Sequence, residues 1–233
     1  MTTVAPASWL PSLLAVLSAN VAKVGPAARF LQLATINVTA TRPHVRTVVF
    51  RGLLLSYPSG SSSRSTLMLA DHLNDPNELK EDASTSLVFA TDLRSDKIAQ
   101  LAASPRVEAC WYFAHTRQQF RLAGAMRVVP GGDSTEVDAN ARAALWNAQS
   151  SAAKRAYATT GPIPGAVVPP DFSAESSSSG NEKDDQPSPH FGMLVLDVDG
   201  VDLLNLGTTP QIRTCWTCSS PDDGSFQVRR VFA

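Results

Sequence analysis

From Phe30 onward the chain is a succession of short apolar runs with strand character, and most of them follow one another directly. Phe30 to Asn37 alternates through Leu31, Leu33 and Thr35. Arg46 to Phe50 and Leu87 to Ala90 are built largely from Val, Phe and Leu. Val107 to Ala114 and Gln119 to Val129 are joined closely enough to form a hairpin. β-Branched and aromatic residues on a two-residue period suit a pleated, half-buried strand. Consecutive strands pair antiparallel, because a parallel neighbour needs a long crossover. The expected fold is therefore mainly β (α+β): an antiparallel barrel with peripheral helices, in preference to a doubly wound parallel sheet.

Helices are expected around this sheet. Between Ser8 and Lys23, the residues Trp9, Leu10, Leu13, Leu14, Leu17 and Val21 recur at helical spacing, and Gly25-Pro26 stops the pattern. Ser95 to Ala103 places Ile98, Leu101 and Ala102 on one face and ends before Pro105. A turn at Pro130 to Asp133 leads into a helix from Thr135 to Trp146, and a second helical stretch reaches Tyr157. Tyr57 to Ser63 reads as a loop and Thr66 to Ala70 as a short strand beyond it. Ser173 to Gln186 is almost devoid of apolar side chains and cannot bury enough surface to offset its chain entropy. A disordered insertion is expected at about 171–189, inside one domain that runs over 1–233. The runs Phe191 to Val198, Val201 to Leu206 and Ile212 to Cys218 then complete the same sheet.

Composition excludes several function classes. Of the 233 residues 43% are hydrophobic and 18% charged, the net charge is −1, and no basic stripe suggests nucleic acid or an anionic membrane. No apolar stretch reads as long enough to span a bilayer, and no signal peptide is apparent. Three cysteines argue against a disulfide framework, so a cytoplasmic location is expected. Cys215-Trp216-Thr217-Cys218 is a solitary Cys-x-x-Cys without the further ligands zinc needs, and it lies on a strand rather than at a helix N-terminus. No metal site is expected.

Two cationic motifs stand out against this background. Arg46-Thr47-Val48-Val49-Phe50-Arg51-Gly52 is a strand bracketed by guanidinium groups, which a two-residue period sends to opposite faces. Thr91-Asp92-Leu93-Arg94-Ser95-Asp96-Lys97 follows another strand and gathers two hydroxyls, a guanidinium and an ammonium. Such a cluster suits an anionic group, since arginine forks match phosphate oxygens and lysine adds a point charge. A third run, Arg117-Gln118-Gln119-Phe120-Arg121-Leu122-Ala123-Gly124, opens a further strand.

In this order the three runs resemble the pyridoxamine 5'-phosphate oxidase superfamily of flavoproteins, in particular its FMN-binding domain branch. The resemblance extends from the opening helix to Phe226-Gln227-Val228-Arg229-Arg230-Val231, which is similar to the closing strand of that family. It implies a split β-barrel that binds FMN in clefts at a homodimer interface, with contacts from both subunits. It also implies an oxidoreductase that passes a hydride between a small substrate and flavin N5. The alternatives are a non-catalytic FMN-binding module and a true pyridoxamine 5'-phosphate oxidase.

Residue by residue, the resemblance assigns Arg46, Thr47, Val48, Val49 and Arg51 to the cofactor, with Arg46 towards its phosphate and Val48 and Val49 beside its ring. Arg51 stands where the oxidases carry a lysine that also serves the substrate phosphate. Thr91, Ser95 and Lys97 match the phosphate-binding hydroxyls and lysine. Asp96 replaces the usual arginine, so Arg94 is expected to supply the guanidinium while Asp96 points away. Gln119 matches a glutamine that bonds the flavin, and Arg121 would add positive charge near the ring. The substrate face of the oxidases, a tyrosine, an arginine and a serine at i, i+4 and i+8, corresponds here to Asp138, Arg142 and Trp146. Their C-terminal Arg-x-His corresponds to Gln211-Ile212-Arg213, with no histidine. Arg142, Trp146 and Arg213 are thus the candidate substrate residues, and no side chain presents itself as a general base.

Overall fold

In the computed structural model the described residues are 5–6, 9–57, 64–73, 84–132, 134–158, 163–168, 170, 186–220 and 225–233. Ten strands form one antiparallel sheet: β1 (Ala5–Pro6), β2 (Phe30–Asn37), β3 (Arg42–Tyr57), β4 (Arg64–Leu69), β5 (Ser84–Asp92), β6 (Arg106–Phe113), β7 (Gln118–Val129), β8 (Phe191–Asn205), β9 (Ile212–Ser220) and β10 (Ser225–Phe232). Their order is β1-β10-β9-β8-β5-β3-β2-β6-β7, with β4 on β3. Pairing of β7 back onto β8 closes six of these strands into a barrel. Closure leaves those six strands without a free edge, while the extension through β9 and β10 ends at β1 and β4 flanks β3.

The barrel closes because β8 is long enough to serve three neighbours. Its first half lies between β5 and β7, and its second half lies between β7 and β9. The sequence suggests two strands here, broken near Asp199. The chain instead runs on through a register shift opposite Ala123 and Gly124, so Asp199 is an extra residue and the strand is continuous. Asp199 turns to an ion pair with Arg106.

A second shift shapes β3. Phe50 pairs with Phe89 and Gly52 with Val88, leaving Arg51 as the extra residue. Leu53 and Leu55 therefore join the barrel core with Val48 and Phe50, while Leu54 faces the other side. Gly52 takes φ +154°, and a Cβ there would lie 2.1 Å from the Met68 carbonyl oxygen. Only glycine permits that approach.

Among the described residues four α-helices surround the sheet: α1 (Trp9–Val24), α2 (Asp96–Ala103), α3 (Glu136–Asn147) and α4 (Ser151–Arg155). The barrel core holds Leu31, Leu33, Phe50, Phe89, Trp111, Phe113 and Phe120, and α1 seals it with Trp9, Leu10, Leu13, Leu14 and Leu17. The Trp111 indole donates to the Ala28 carbonyl. From Trp9 to Arg29 the helical stretch is long and apolar enough to cross a membrane, with a mean hydropathy of 1.2. This corrects the expectation that no such stretch exists, although here the apolar side of α1 lies against the barrel. A smaller cluster on the outside of β3, β5 and β8 packs Val88, Met193 and Val195 under Leu145, Trp146 and Phe191. The expected loop at 58–63 and most of the expected insertion at 171–189 lie outside the described residues. Its last residues are placed, and Ser188 is buried.

Gly52→Ala is expected to cost at least ~1–3 kcal/mol through backbone strain and the clash with Met68. Urea unfolding monitored by tryptophan fluorescence measures it, and parental stability would contradict the reading of β3.

Candidate functional site

The end of the barrel beneath α2 is polar. On the core face of β3, Arg46 pairs with the buried Leu33 of β2, one row from Val48 and Leu31. An arginine in that position must be satisfied by the protein itself. Its guanidinium donates to the Thr35 hydroxyl at 2.6 Å, to the Gln100 side-chain oxygen at 2.9 Å and to the Leu33 carbonyl. Thr35 also donates to the Gln100 oxygen, at 2.5 Å, and the Gln100 amide meets His44 Nδ1. Both Thr35 and Gln100 are buried. The junction fixes α2 against β2 and β3.

One turn earlier on α2, the Lys97 ammonium lies 2.6 Å from Ser95 Oγ and 3.2 Å from Thr91 Oγ1. Thr91 points to the core face of β5, with Leu87 and Phe89, and is buried. Ser95 stands at the N-cap of α2, but its hydroxyl donates to the Asp92 carbonyl and accepts no bond from the helix amides. Burial pushes the Lys97 pKa down and the nearby charge of Arg46 lowers it further, against the opposing pull of Asp92 and Asp96. Asp96 itself is exposed at the rim. An ammonium, a guanidinium and two hydroxyls held together suit a phosphate, and an anion there would relieve the repulsion between Lys97 and Arg46.

Arg94 belongs to the same turn but is engaged elsewhere. Its guanidinium forks onto Asp92 at 2.7 Å and reaches the carbonyls of Ala156 and Ala158. The expectation that Arg94 replaces the missing phosphate ligand is not met by this geometry, because a neighbouring carboxylate already holds it. Burial pushes the Asp92 carboxyl up, yet hydrogen bonds and charge from Arg94, with the charge of His190, hold it below the ordinary carboxylate value.

The remaining candidates divide between two further places. Val48 turns its side chain into the barrel core, which leaves its backbone for the expected place beside the ring. Thr47 and Val49 point to the opposite, outer face of the sheet. Strand pairing runs one row across that face: Thr47, Gln32, Cys110, Arg121, Asp202, Cys215 and Arg229. Gln119 lies on the adjacent row, between Tyr112 and Leu204. Arg121 is not a bare charge as expected, since Asp202 lies 2.5 Å away and Glu108 3.7 Å. Asp202 also receives Arg213, at 2.9 Å. Cys215 projects to this face while Cys218 packs on the core side, so the Cys-x-x-Cys pair diverges.

Arg142 and Trp146 lie in the outer cluster instead. The Arg142 guanidinium, 8% exposed, donates to the carbonyls of Ser188 and Phe191 and sits over the Phe191 ring. Trp146 packs edge-on against Phe191 and Tyr157. Both expected substrate residues are engaged in packing here. Asp138, on the same helix face, pairs with Arg127. Arg51, at the bulge, has its Nε buried without a hydrogen-bond partner. Burial raises the pKa of Tyr157, and the Arg51 charge opposes that rise. Sequence reasoning missed Thr35, Gln100, Asp92 and Asp202. Gln100 left a local signal, three residues after Lys97 on one face of α2, and so did Asp92, two residues before Arg94.

The lowered pKa of Asp92 has a stability consequence. A carboxylate depressed in the folded state contributes stability above its unfolded value, about 3.9, and loses it as pH falls through the folded value. Asp92→Asn should therefore be less stable than the parental protein near neutrality, with the gap narrowing below about pH 4. Thermal unfolding across pH checks this, and a pH-independent gap would contradict it.

Comparison with known proteins fits this geometry. The family described as pyridoxamine 5'-phosphate oxidase, FMN-binding domain, matches residues 6–130. The pyridoxine/pyridoxamine 5'-phosphate oxidase 2 of Arabidopsis thaliana is 30% identical over 200 residues, covering 81% of this chain and 84% of that protein. The crystal structure of a pyridoxamine 5'-phosphate oxidase-related, FMN-binding protein from Nostoc punctiforme superposes with TM-score 0.74 and 30% identity, covering 98% of each chain. PhzG of Burkholderia lata, at TM-score 0.62 and 16% identity over 97% of this chain and 91% of that one, shares the fold. With FMN as its cofactor and a split barrel as its fold, the chain belongs to the pyridoxamine 5'-phosphate oxidase FMN-binding domain family.

Proposed function

We propose that this protein is an FMN-dependent oxidoreductase that works as a homodimer in the cytoplasm, passing a hydride between a small substrate and the flavin. The observation that carries the reading is the nest of Arg46, Thr91, Ser95 and Lys97, whose paired cations and hydroxyls suit the single phosphate of FMN. Bound FMN would supply hydride acceptance and donation at N5. The protein would anchor the phosphate, orient the ring along β3 and exclude water. Its three free cysteines suit a reducing compartment.

Dimerisation is supported by what the outer face exposes. Phe30, Ile36, Val45, Tyr112 and Val231 are all exposed and all point to that face of β2, β3, β6 and β10. Gathered apolar side chains around a charged centre are the composition of an interface. The phosphate nest and Gln119 lie on opposite faces of the sheet, so a ligand reaching both groups takes them from two chains. Arg213 is the candidate that remains open towards a substrate at this interface, and it arrives there already bonded to Asp202.

Oxidation of pyridoxamine 5'-phosphate is the second reading, favoured by the Arabidopsis relative's name. Against it, Arg142 and Trp146 are spent on packing and Asp138 on Arg127. Other small substrates therefore fit better.

Three outcomes test these readings. Lys97→Ala and Arg46→Ala should each weaken FMN binding about tenfold to a hundredfold, the worth of a charged hydrogen bond. Fluorescence titration measures this, and parental affinity in both variants would sink the phosphate assignment. Light scattering should give about twice the mass of one chain, falling to one chain in Val45→Glu with Tyr112→Glu. A parental monomer that holds FMN would refute the dimer. Anaerobic mixing with pyridoxamine 5'-phosphate should bleach the flavin slowly or not at all, whereas rapid and complete bleaching would establish the second reading.

A further inference from the structure

Arg94 lies one residue from Ser95 and three from Lys97, yet its guanidinium turns away from them. It is 13% exposed, like its partner Asp92, and meets both carboxylate oxygens. The backbone N–H of Arg94 donates to the same carboxylate at 2.8 Å. Asp92 in turn receives Ser95 through its main-chain oxygen, from the Ser95 hydroxyl at 2.6 Å and the Ser95 amide at 3.2 Å. The turn that presents Ser95 and Lys97 is thus folded around one carboxylate and closed by one guanidinium.

The far side of that guanidinium meets a second structure. It donates to the carbonyls of Ala156 and Ala158, just beyond α4. The neighbouring Leu93 amide donates to the His190 carbonyl at 2.9 Å. Ser188 Oγ donates to the Tyr157 carbonyl at 2.5 Å, and Arg142 holds the Ser188 carbonyl. Residues 156–158 and 188–190 are therefore joined to each other and to the turn. Arg94 is the side chain that spans the two.

We propose that Arg94 is a positioning residue for cofactor binding: with Asp92 it sets the turn that presents Ser95 and Lys97, and it does not contact the phosphate itself. This rests on the assignment of Ser95 and Lys97 to the FMN phosphate. A residue acting through the turn has a distinctive signature. Its loss should affect ligands with a phosphate and spare those without one. A direct ligand would also behave differently towards Asp92, since removing a carboxylate near a bound phosphate should leave affinity unchanged or raise it.

The test measures FMN and riboflavin affinities for the parental protein, Arg94→Ala, Arg94→Lys, Asp92→Asn and the double variant Arg94→Ala with Asp92→Asn. Arg94→Ala and Asp92→Asn should each weaken FMN binding about tenfold, as expected for a charged hydrogen-bonded pair. The double variant should be no weaker than the worse single one, because both act through one unit. Riboflavin affinity should stay parental, and Arg94→Lys, which keeps charge without the fork, should fall between. If Arg94→Ala does not fold, Arg94→Lys and Asp92→Asn carry the comparison. Weakening in Arg94→Ala with parental or tighter binding in Asp92→Asn would make Arg94 a phosphate ligand and overturn the proposal. Equal losses for FMN and riboflavin would reduce it to general stability, and unchanged FMN affinity in every variant would also overturn it. Failure of the parental protein to prefer FMN over riboflavin would instead refute the phosphate assignment.

Discussion

Arg46 is a charged side chain on the core face of a barrel strand, and the candidate site is organised by how that charge is satisfied. Water cannot reach the whole guanidinium, so Thr35, Gln100 and the Leu33 carbonyl provide its acceptors. Removing either polar partner would leave a half-buried donor to what water can reach it, at a cost of up to about 1 kcal/mol. The same bonds fix α2 across the end of the barrel. Lys97 and Ser95, at the start of that helix, take their places from it. A repulsive pair of cations is thereby held in a compact, partly desolvated space, and such a space is suited to a dianion.

The outer face follows a different logic. Its charges are matched in a row, Glu108 to Arg121 to Asp202 to Arg213, so little net field remains at the centre. Around them stand apolar side chains that a lone chain leaves in water. Neutralised charges ringed by exposed apolar groups favour burial against a matching surface, and a two-fold partner supplies one without new chemistry. The third region, outside β5 and β8, is structural. Arg94 and Arg142 use their donors there on the main-chain carbonyls of Ala156, Ala158, Ser188 and Phe191.

Much of the architecture was legible because it is local. The alternation of β2 and β6, the helical spacing in α1 and the stop at Pro105 each act within a few residues. The clustering of Thr91, Ser95 and Lys97 was legible for the same reason, since they lie close together in the chain. What escaped depends on distant partners. Arg142 and Trp146 match a substrate face by spacing, but Phe191 and Ser188, more than 40 residues on, claim them for packing. Arg94 matched a phosphate ligand by type, and the carboxylate beside it was not weighed as its partner. The continuous β8 escaped because a bulge is a property of the pairing with β7, and neither strand alone records it.

In the proposed dimer each FMN site takes its phosphate contacts from one chain and its ring-side contacts from the other. A heterodimer of one Lys97→Ala chain and one Gln119→Ala chain tests this directly. Sites shared between chains leave one site intact and the other doubly damaged. Titration should then find about half as many tight FMN sites as in the parental dimer, and none in either variant homodimer. A heterodimer with no tight site would place Lys97 and Gln119 on the same FMN within one chain, and would contradict the shared site.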